Sequence, residues 1–438
     1  MNRLTLLKIF VWLYCLSWAF DFRGEDGGTL IQYLFFAFTL GTAGMVMLLG
    51  ARSLWIRPAG WLIVGWSLYL ASTLVVAKVN GVEMGWYLRN LIPPLLLLLS
   101  MCVTQIAAGQ GLSYKEVLYP MLLAGVTNVL WRAVYTLVIQ GTPLDLVRVQ
   151  MLSQCLPMLL AFTFAAMALR MKWPLIPMLI GFIGISSYVV SITRSAAFII
   201  AAEMVMCVVA VWRARQLGVL PRAFHNTKVR HLIAGVGALL AVLVIVGVAA
   251  PFVFERWAER LFNPIGGEQS SADPSALTRF AETKAFVTLL NAEPATYLYG
   301  RGLGATYYWD ESYMPELAQY TYGNEDVFRG DYTNINFPGH SIWTYALFSG
   351  GIIGLGFYAG LFLVGTYWAY RSVRHLVAVP EYPLEIAFLP CISLVGFLSL
   401  SLTFNPFIER ASAITIGVML AFPQFLIMAA WRKGRKGT

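Results

Sequence analysis

The chain has 438 residues, of which 58% are hydrophobic and 12% are charged, and its formal net charge is +9. Soluble globular domains have roughly twice that charged fraction, so the composition excludes an ordinary soluble protein. The short alternating strands of a closed membrane β-barrel are absent as well. The composition therefore indicates a membrane protein built from helices.

Apolar runs that could cross a hydrocarbon core of about 30 Å as helices recur along the chain. The first run has a basic start like a secretory signal, but no cleavage site of small residues follows it, so we expect an uncleaved helix. The predicted fold class is an all-α polytopic membrane protein with about 12 transmembrane helices. The predicted spans are residues 5–20, 29–50, 59–77, 90–109, 117–139, 152–169, 175–193, 195–212, 232–254, 341–370, 384–403 and 411–430.

The positions of Lys and Arg predict the orientation, because cytoplasmic loops of membrane proteins are rich in both. If both termini face the cytoplasm, that side collects 18 of the 31 basic residues, mostly in short clusters. The positive charge is then a topology signal and a match to anionic lipids. No basic patch interleaved with aromatic residues predicts binding to nucleic acid. All five cysteines lie inside predicted spans, so neither a disulfide nor a zinc site is expected.

One long segment separates predicted helices 9 and 10. It runs from Glu255 to His340, about 85 residues, and holds 12 of the 22 acidic residues. Loops of this length are commonly functional, and the predicted orientation places this one outside the cytoplasm. Within it, "ADPSALTRFAETKAFVTLLN" predicts a helix with Asp273 as N-cap and Pro274 at the first position. The domains are then 1–254 with helices 1–9, 255–340 as a partly helical loop domain, and 341–438 with helices 10–12.

His340 lies where this polar loop turns into an apolar run. It is the one histidine of four that the predicted topology places on the outer side. An imidazole at a membrane boundary can take a proton from a hydroxyl without carrying a permanent charge into the lipid, which favours a general base. A hydrogen-bonded interfacial histidine without catalytic function is the alternative.

Three arginines accompany His340 on the predicted outer side. Arg194 lies at the tight polar turn between predicted helices 7 and 8, Arg279 lies on the predicted loop helix, and Arg301 lies within "YGRGLGA". Guanidinium groups bind phosphate through two parallel hydrogen bonds, so a cluster of arginines can hold a diphosphate without a metal ion. Solvated or snorkelling side chains are the alternative for each arginine alone.

Two further charged residues fall inside predicted spans. Glu203 and Arg132 each lie eight residues inside the outer boundary of their helix, about 12 Å deep at 1.5 Å per residue. Their equal depth predicts a structural ion pair, although a carboxylate within the membrane is also a candidate for a proton relay.

Chemistry outside the cytoplasm has no ready supply of nucleotides, and the chain contains no phosphate-binding GxxxxGK[ST] loop. An activated group must therefore arrive attached to lipid. A base and several arginines at the outer membrane surface fit the transfer of a sugar from a lipid diphosphate. The base would deprotonate an acceptor hydroxyl while the arginines stabilise charge on the departing diphosphate.

The order and sidedness of these motifs resemble those of bacterial O-antigen ligases, whose superfamily also contains the O-antigen polymerases. The resemblance covers most of the chain, including twelve predicted helices and a long outer loop late in the sequence. Its motifs are "SITR" opening a span, "SALTRF" in the loop helix, "YGRGLGA", and a histidine followed by an apolar helix with "GGIIG".

This resemblance implies an enzyme that transfers O-antigen polysaccharide from undecaprenyl diphosphate to lipid A-core on the periplasmic face of the bacterial inner membrane. It implies inversion at the anomeric carbon, no metal and no other cofactor. Position by position, the catalytic histidine of the family falls on His340, and its essential arginines fall on Arg194 and Arg279. Arg301 is added from its glycine context alone. The expected partners are the lipid-linked donor, the lipid A-core acceptor and membrane lipids.

Three other functions fit the same features. An O-antigen polymerase would extend the glycan instead of attaching it to lipid A-core, and a protein-glycosylating ligase would leave lipopolysaccharide intact in a deletion strain. A transporter or flippase for lipid-linked glycans belongs to another class, and it predicts broken helices near the membrane centre and inverted repeats.

Overall fold

The computed structural model describes residues 2–22, 30–56, 59–141, 152–170, 174–191, 195–220, 244, 274–308 and 339–436. These residues form fourteen α-helices with short 3₁₀ and π segments at some of their ends. The α-helices are α1 (Arg3–Leu16), α2 (Leu30–Gly50), α3 (Ala59–Val79), α4 (Met84–Gly109), α5 (Lys115–Val134), α6 (Leu156–Leu169), α7 (Leu175–Ser191), α8 (Ser195–Gln216), α9 (Pro274–Ala292), α10 (Thr296–Tyr299), α11 (Ile342–Ser372), α12 (Leu384–Ser401), α13 (Arg410–Ala421) and α14 (Pro423–Lys436).

Eight helical segments of the described residues are long and apolar enough to cross a membrane. They are Gln32–Trp55, Ala59–Val79, Met84–Gly109, Lys115–Ile139, Ala196–Gln216, Ile342–Val377, Leu384–Ser401 and Arg410–Arg435. The predicted all-α membrane protein is thereby confirmed. Predicted spans 6 and 7 are the shorter apolar helices α6 and α7, and the first predicted span overlaps α1, which has 14 residues. The predicted span at 232–254 lies outside the described residues.

The centre of the helix bundle is formed by α4, α12 and α13, whose side chains are mostly buried. Helix α13 packs against α4 so closely that a Cβ on Gly417 would come within 2.4 Å of the Leu97 carbonyl oxygen. Small residues permit such close approach of two backbones. Because lipid tails are as apolar as the side chains, the hydrophobic effect gives little drive for helices to associate in a membrane, and dispersion contacts hold them together instead. Helix α12 packs against α6, α8 and α11.

The two ends of the bundle differ in charge. Helices α9 and α10 lie at one end, which we call the loop end, and the C-terminus of α14 lies at the other, the tail end. Five basic side chains make contacts with helix ends or connections at the tail end: Arg3, Lys8, Arg170, Arg432 and Lys433. The cationic clusters of the sequence therefore meet at the end opposite α9.

Helix α11 is broken at Gly351, where φ is 62° and ψ is −160°. The glycine loop that follows α10 fills this break. The backbone N–H groups of Arg301 and Gly302 donate to the carbonyl oxygens of Phe348 and Ser349 at 2.8 and 3.0 Å. Two carbonyl groups of the interrupted helix thus find partners, as buried backbone groups must. The motif "YGRGLGA" clamps the loop domain onto α11.

Helix α9 packs against α11 through aromatic rings. Phe286 stacks on Phe348 with ring centroids 4.4 Å apart, and Tyr307 meets Phe286 edge to face at 4.7 Å. The predicted loop helix is confirmed by α9, although Phe280, which its apolar pattern includes, is 60% exposed. The predicted N-cap, Asp273, lies outside the described residues. These rings hold α9 at the loop end, directly beside the start of α11.

Candidate active site

His340 is held by a carboxylate from α9. The Nδ1 atom of His340 lies 2.8 Å from Glu282 Oε2, and the backbone N–H of His340 donates to Oε1 at 2.9 Å and to Oε2 at 3.1 Å. The imidazole is about one-third exposed, whereas the Glu282 side chain is 1% exposed. Glu282 therefore fixes both the backbone and the ring of a histidine that still reaches the surface.

Gly339 makes this arrangement possible. Its φ is 72°, a conformation that glycine adopts without strain and other residues rarely adopt. A Cβ at this position would also lie 2.7 Å from Glu282 Oε1. The conformation of Gly339 thus lets His340 present its backbone N–H and its ring to the same carboxylate.

Tyr307 forms part of the wall around this carboxylate. Burial raises the pKa of the Tyr307 phenol above its ordinary value, and the negative charge of Glu282 raises it further. The Tyr307 hydroxyl is buried and has no hydrogen-bond partner in the part of the chain that the structure describes. The Glu282 carboxylate therefore lies near a buried phenol and is almost completely removed from solvent.

Arg279 lies one helical turn before Glu282 on α9. Its Nη2 atom donates to the Thr403 carbonyl oxygen at 2.8 Å, in the connection between α12 and α13. Its Nε atom is buried and has no partner among the described residues. Residues three apart on a helix share a face, so Arg279 and the His340–Glu282 pair lie on the same side of α9. The guanidinium is anchored at one nitrogen and retains donor capacity at another.

Arg301 occupies a different place. Its Nη1 atom lies 3.1 Å from Glu293 Oε1, just past the end of α9, and its backbone binds Phe348. Phe348 lies eight residues beyond His340, about 12 Å along a helix. The described contacts therefore place Arg279 one turn from the glutamate that binds His340, whereas Arg301 binds Glu293 and the broken segment of α11. Arg194, the third predicted arginine, lies outside the described residues.

The structure replaces the expected pair between Glu203 and Arg132. Arg132 binds Glu409 with two parallel contacts, Nη1 to Oε1 at 3.1 Å and Nη2 to Oε2 at 2.7 Å, and donates to the Leu152 carbonyl oxygen. Glu203 is fully buried, and neither carboxyl oxygen has a hydrogen-bond partner among the described residues. Arg132 and Glu203 were paired because their predicted depths along their helices are equal, but their side chains face different neighbours.

Glu282 and Glu409 are functional or structural partners that the sequence analysis missed. A signal for Glu282 exists in "SALTRFAETK", because the glutamate follows Arg279 at a spacing that places both on one helix face. Glu409 ends the polar connection "TFNPFIE" directly before α13, and nothing in that position identifies Arg132 as its partner. Within the described ranges, no three His, Cys, Asp or Glu side chains converge as metal ligands would.

Comparison of the chain with models of known protein families and with curated proteins found no match.

Proposed function

We propose that the protein is a glycosyltransferase that uses a lipid diphosphate as donor, namely an O-antigen ligase of the bacterial inner membrane. In this proposal, His340 is the general base on the periplasmic face, and Arg279 with Arg194 holds the diphosphate of the undecaprenyl donor. Lipid A-core is the acceptor.

One observation carries the proposal: a single turn of α9 bears both Arg279 and the carboxylate that fixes His340. The resemblance to O-antigen ligases points to the same arginine and histidine from sequence motifs alone. The two residues are 61 positions apart in the sequence, so their motifs are separate. A base held by the same helix face that bears a phosphate-binding cation fits a reaction in which a proton leaves the acceptor while negative charge develops on a diphosphate.

The distribution of charge supports the proposed sidedness. Basic side chains that bind helix ends gather at the tail end, whereas α9 and His340 lie at the opposite end. Cytoplasmic loops carry an excess of Lys and Arg, so the tail end is proposed to be cytoplasmic. A donor whose diphosphate lies at the lipid headgroups would then meet His340 from the membrane, and a hydrophilic acceptor would meet it from the periplasm.

The test is transfer by the purified protein in detergent, with undecaprenyl-diphosphate-linked O-antigen as donor and lipid A-core as acceptor. We expect glycosylated lipid A-core from the wild type and a loss of at least about 100-fold for His340→Ala, the usual contribution of a positioned base. His375→Ala, at the tail end, is the matched control and should keep full activity.

Three outcomes overturn this assignment. Full activity of His340→Ala removes the base, and longer lipid-linked chains without product on lipid A-core indicate a polymerase. Glycosylation of protein in place of lipid A-core indicates a protein ligase. Thermal unfolding of each variant separates loss of chemistry from loss of fold.

A further inference from the structure

We propose that Glu282 is a positioning residue for His340: it holds the proton of the neutral imidazole on Nδ1 and leaves Nε2 as the nitrogen that accepts the proton of the acceptor hydroxyl. This inference deepens the proposed function and depends on it for the identity of the reaction. The geometry of the histidine itself does not depend on it.

The hydrogen-bond inventory of the two side chains decides the tautomer. An ionised carboxylate only accepts hydrogen bonds, and Glu282 already accepts the backbone N–H of His340 through both oxygens. The Nδ1 atom at 2.8 Å must therefore be the donor. A neutral imidazole with its proton on Nδ1 has its lone pair on Nε2, at the opposite edge of the ring.

Three contacts from one carboxylate give the ring an orientation as well as a tautomer. The backbone contacts set the position of the His340 Cα atom, and the Nδ1 contact sets the rotation of the ring about its side-chain bonds. Gly339 allows both at once, because a side chain there would collide with Glu282 Oε1. A base whose lone pair is held in one direction contributes more than a freely rotating one, because the reactive geometry is already ordered.

The burial of Glu282 strengthens its effect. The carboxylate is 1% exposed, and its neighbours on α9, Ala285 and Phe286, belong to a buried apolar cluster. Charge interactions are less screened in such surroundings than in water. When His340 takes a proton, the resulting imidazolium lies 2.8 Å from this charge and is stabilised by it.

The reaction balances with these groups. The hydroxyl proton of the acceptor moves to His340 Nε2, and the hydroxyl oxygen forms a bond to the anomeric carbon of the donor sugar. The bond between that carbon and the diphosphate oxygen breaks, and its electron pair leaves with the undecaprenyl diphosphate anion. Glu282 keeps its contact with Nδ1 throughout, and the imidazolium later releases its proton to water.

Nitrogen-15 NMR of protein labelled at histidine tests the tautomer without any substrate. With four histidines in the chain, a spectrum of His340→Gln assigns the His340 signals by their disappearance. We expect the neutral ring of wild-type His340 to be protonated on Nδ1, and Glu282→Gln to change this, because a glutamine side chain can donate to Nδ1 instead of accepting from it. Protonation on Nε2 in the wild type would overturn the inference.

Kinetics give the second readout. We expect Glu282→Gln to lower kcat at least about 100-fold while the KM for the donor changes less than about twofold, because the residue does not touch the substrate. Glu282→Asp keeps the charge and should recover part of kcat. Glu83→Gln, an exposed glutamate at the loop end, is the matched control. A wild-type kcat for Glu282→Gln would refute the positioning role.

The two measurements separate this inference from the proposed function. If no glycosyl transfer occurs under any condition but wild-type His340 carries its proton on Nδ1, the reaction assignment fails and the positioning by Glu282 stands. If His340→Ala abolishes transfer and Glu282→Gln does not lower kcat, the reaction assignment stands and the positioning role fails. Thermal unfolding of Glu282→Gln and Glu282→Asp shows whether either variant has lost its fold.

Discussion

Arg279 and Glu282 lie one turn apart on α9, and each binds a different part of the loop end. Glu282 holds His340 at the start of α11, and Arg279 donates to the Thr403 carbonyl oxygen between α12 and α13. One turn of α9 therefore ties together two connections that are distant in the sequence. Helix geometry sets the spacing between the Arg279 and Glu282 side chains.

Replacing Arg279 tests its role in donor binding. We expect Arg279→Ala to raise the KM for the lipid diphosphate donor about 10- to 100-fold, since hydrogen bonds to charged groups contribute about 1.5 to 3 kcal/mol. Arg279→Lys should recover only part of this, because an ammonium lacks the planar fork of a guanidinium. Steady-state kinetics with donor and acceptor varied separately give both constants.

Lys284→Ala is the matched control for Arg279, since this exposed cation belongs to the same helix. It should leave both KM values unchanged. A selective rise in the KM for the acceptor in Arg279→Ala would assign the arginine to the other substrate.

Chelation provides a test that needs no variant. If guanidinium groups neutralise the diphosphate, transfer should proceed at an unchanged rate in excess EDTA. The measurement is the initial rate with and without chelator, followed by addition of magnesium or manganese. Inhibition by EDTA with recovery on adding either ion would contradict the role of the arginines and direct attention to carboxylates such as Asp310 and Glu311, which lie outside the described residues.

Local signals in the sequence predicted much of the fold. The length and apolarity of the spans required only counting, and α9 followed from its cap and its spacing. The partner of Arg132 could not be obtained in this way. Position along a helix fixes the depth of a side chain but not the direction in which the helix faces, so depth selected Glu203, whereas the partner is Glu409, 277 residues away from Arg132.

In the candidate site, too, some features could be predicted from the sequence and others could not. His340 and Arg279 were predicted from their residue types, their place in the topology and a family resemblance. The contact between His340 and Glu282 joins positions 58 residues apart and depends on the turn at Gly339. No periodicity in the sequence encodes such a contact, although the spacing of Arg279 and Glu282 on one helix was available.

The buried pair of Arg132 and Glu409 should matter for stability. Removing one partner leaves a buried charge without compensation, so we expect Arg132→Met to lower the free energy of unfolding by about 3 to 5 kcal/mol. Replacing both residues, in Arg132→Met with Glu409→Leu, should recover most of this loss. Lys433→Met breaks an exposed pair at the tail end and should have no measurable effect. Equal losses in the single and double variants would contradict this account.

The close contact between Glu203 and α12 should require a glycine at position 396. A Cβ on this glycine of α12 would lie 2.1 Å from Glu203 Oε1, so Gly396→Ala overpacks the contact with α8. Overpacking costs about 1 to 3 kcal/mol, and shortening Glu203 should relieve it. The double variant of Gly396→Ala with Glu203→Ala should therefore be less destabilised than the sum of the single variants, as measured by a double-mutant cycle of unfolding. Additive effects would show that the two residues do not constrain each other.

The break in α11 gives the last prediction. Gly351 has a φ of 62°, and a Cβ there would lie 2.4 Å from the backbone carbonyl of Leu298 in α10. Gly351→Ala must therefore displace the clamp, at a cost of about 1 to 3 kcal/mol for the backbone conformation alone. We expect faster hydrogen exchange in residues 296–304 and 342–350, measured by mass spectrometry, and a lower rate of transfer, since His340 directly precedes the displaced segment of α11. Gly360→Ala is the matched control on the same helix, because no atom lies within 4 Å of the added Cβ. Unchanged exchange in Gly351→Ala would mean that the glycine loop keeps its place despite the added side chain. The position of His340 would then depend on α9 alone.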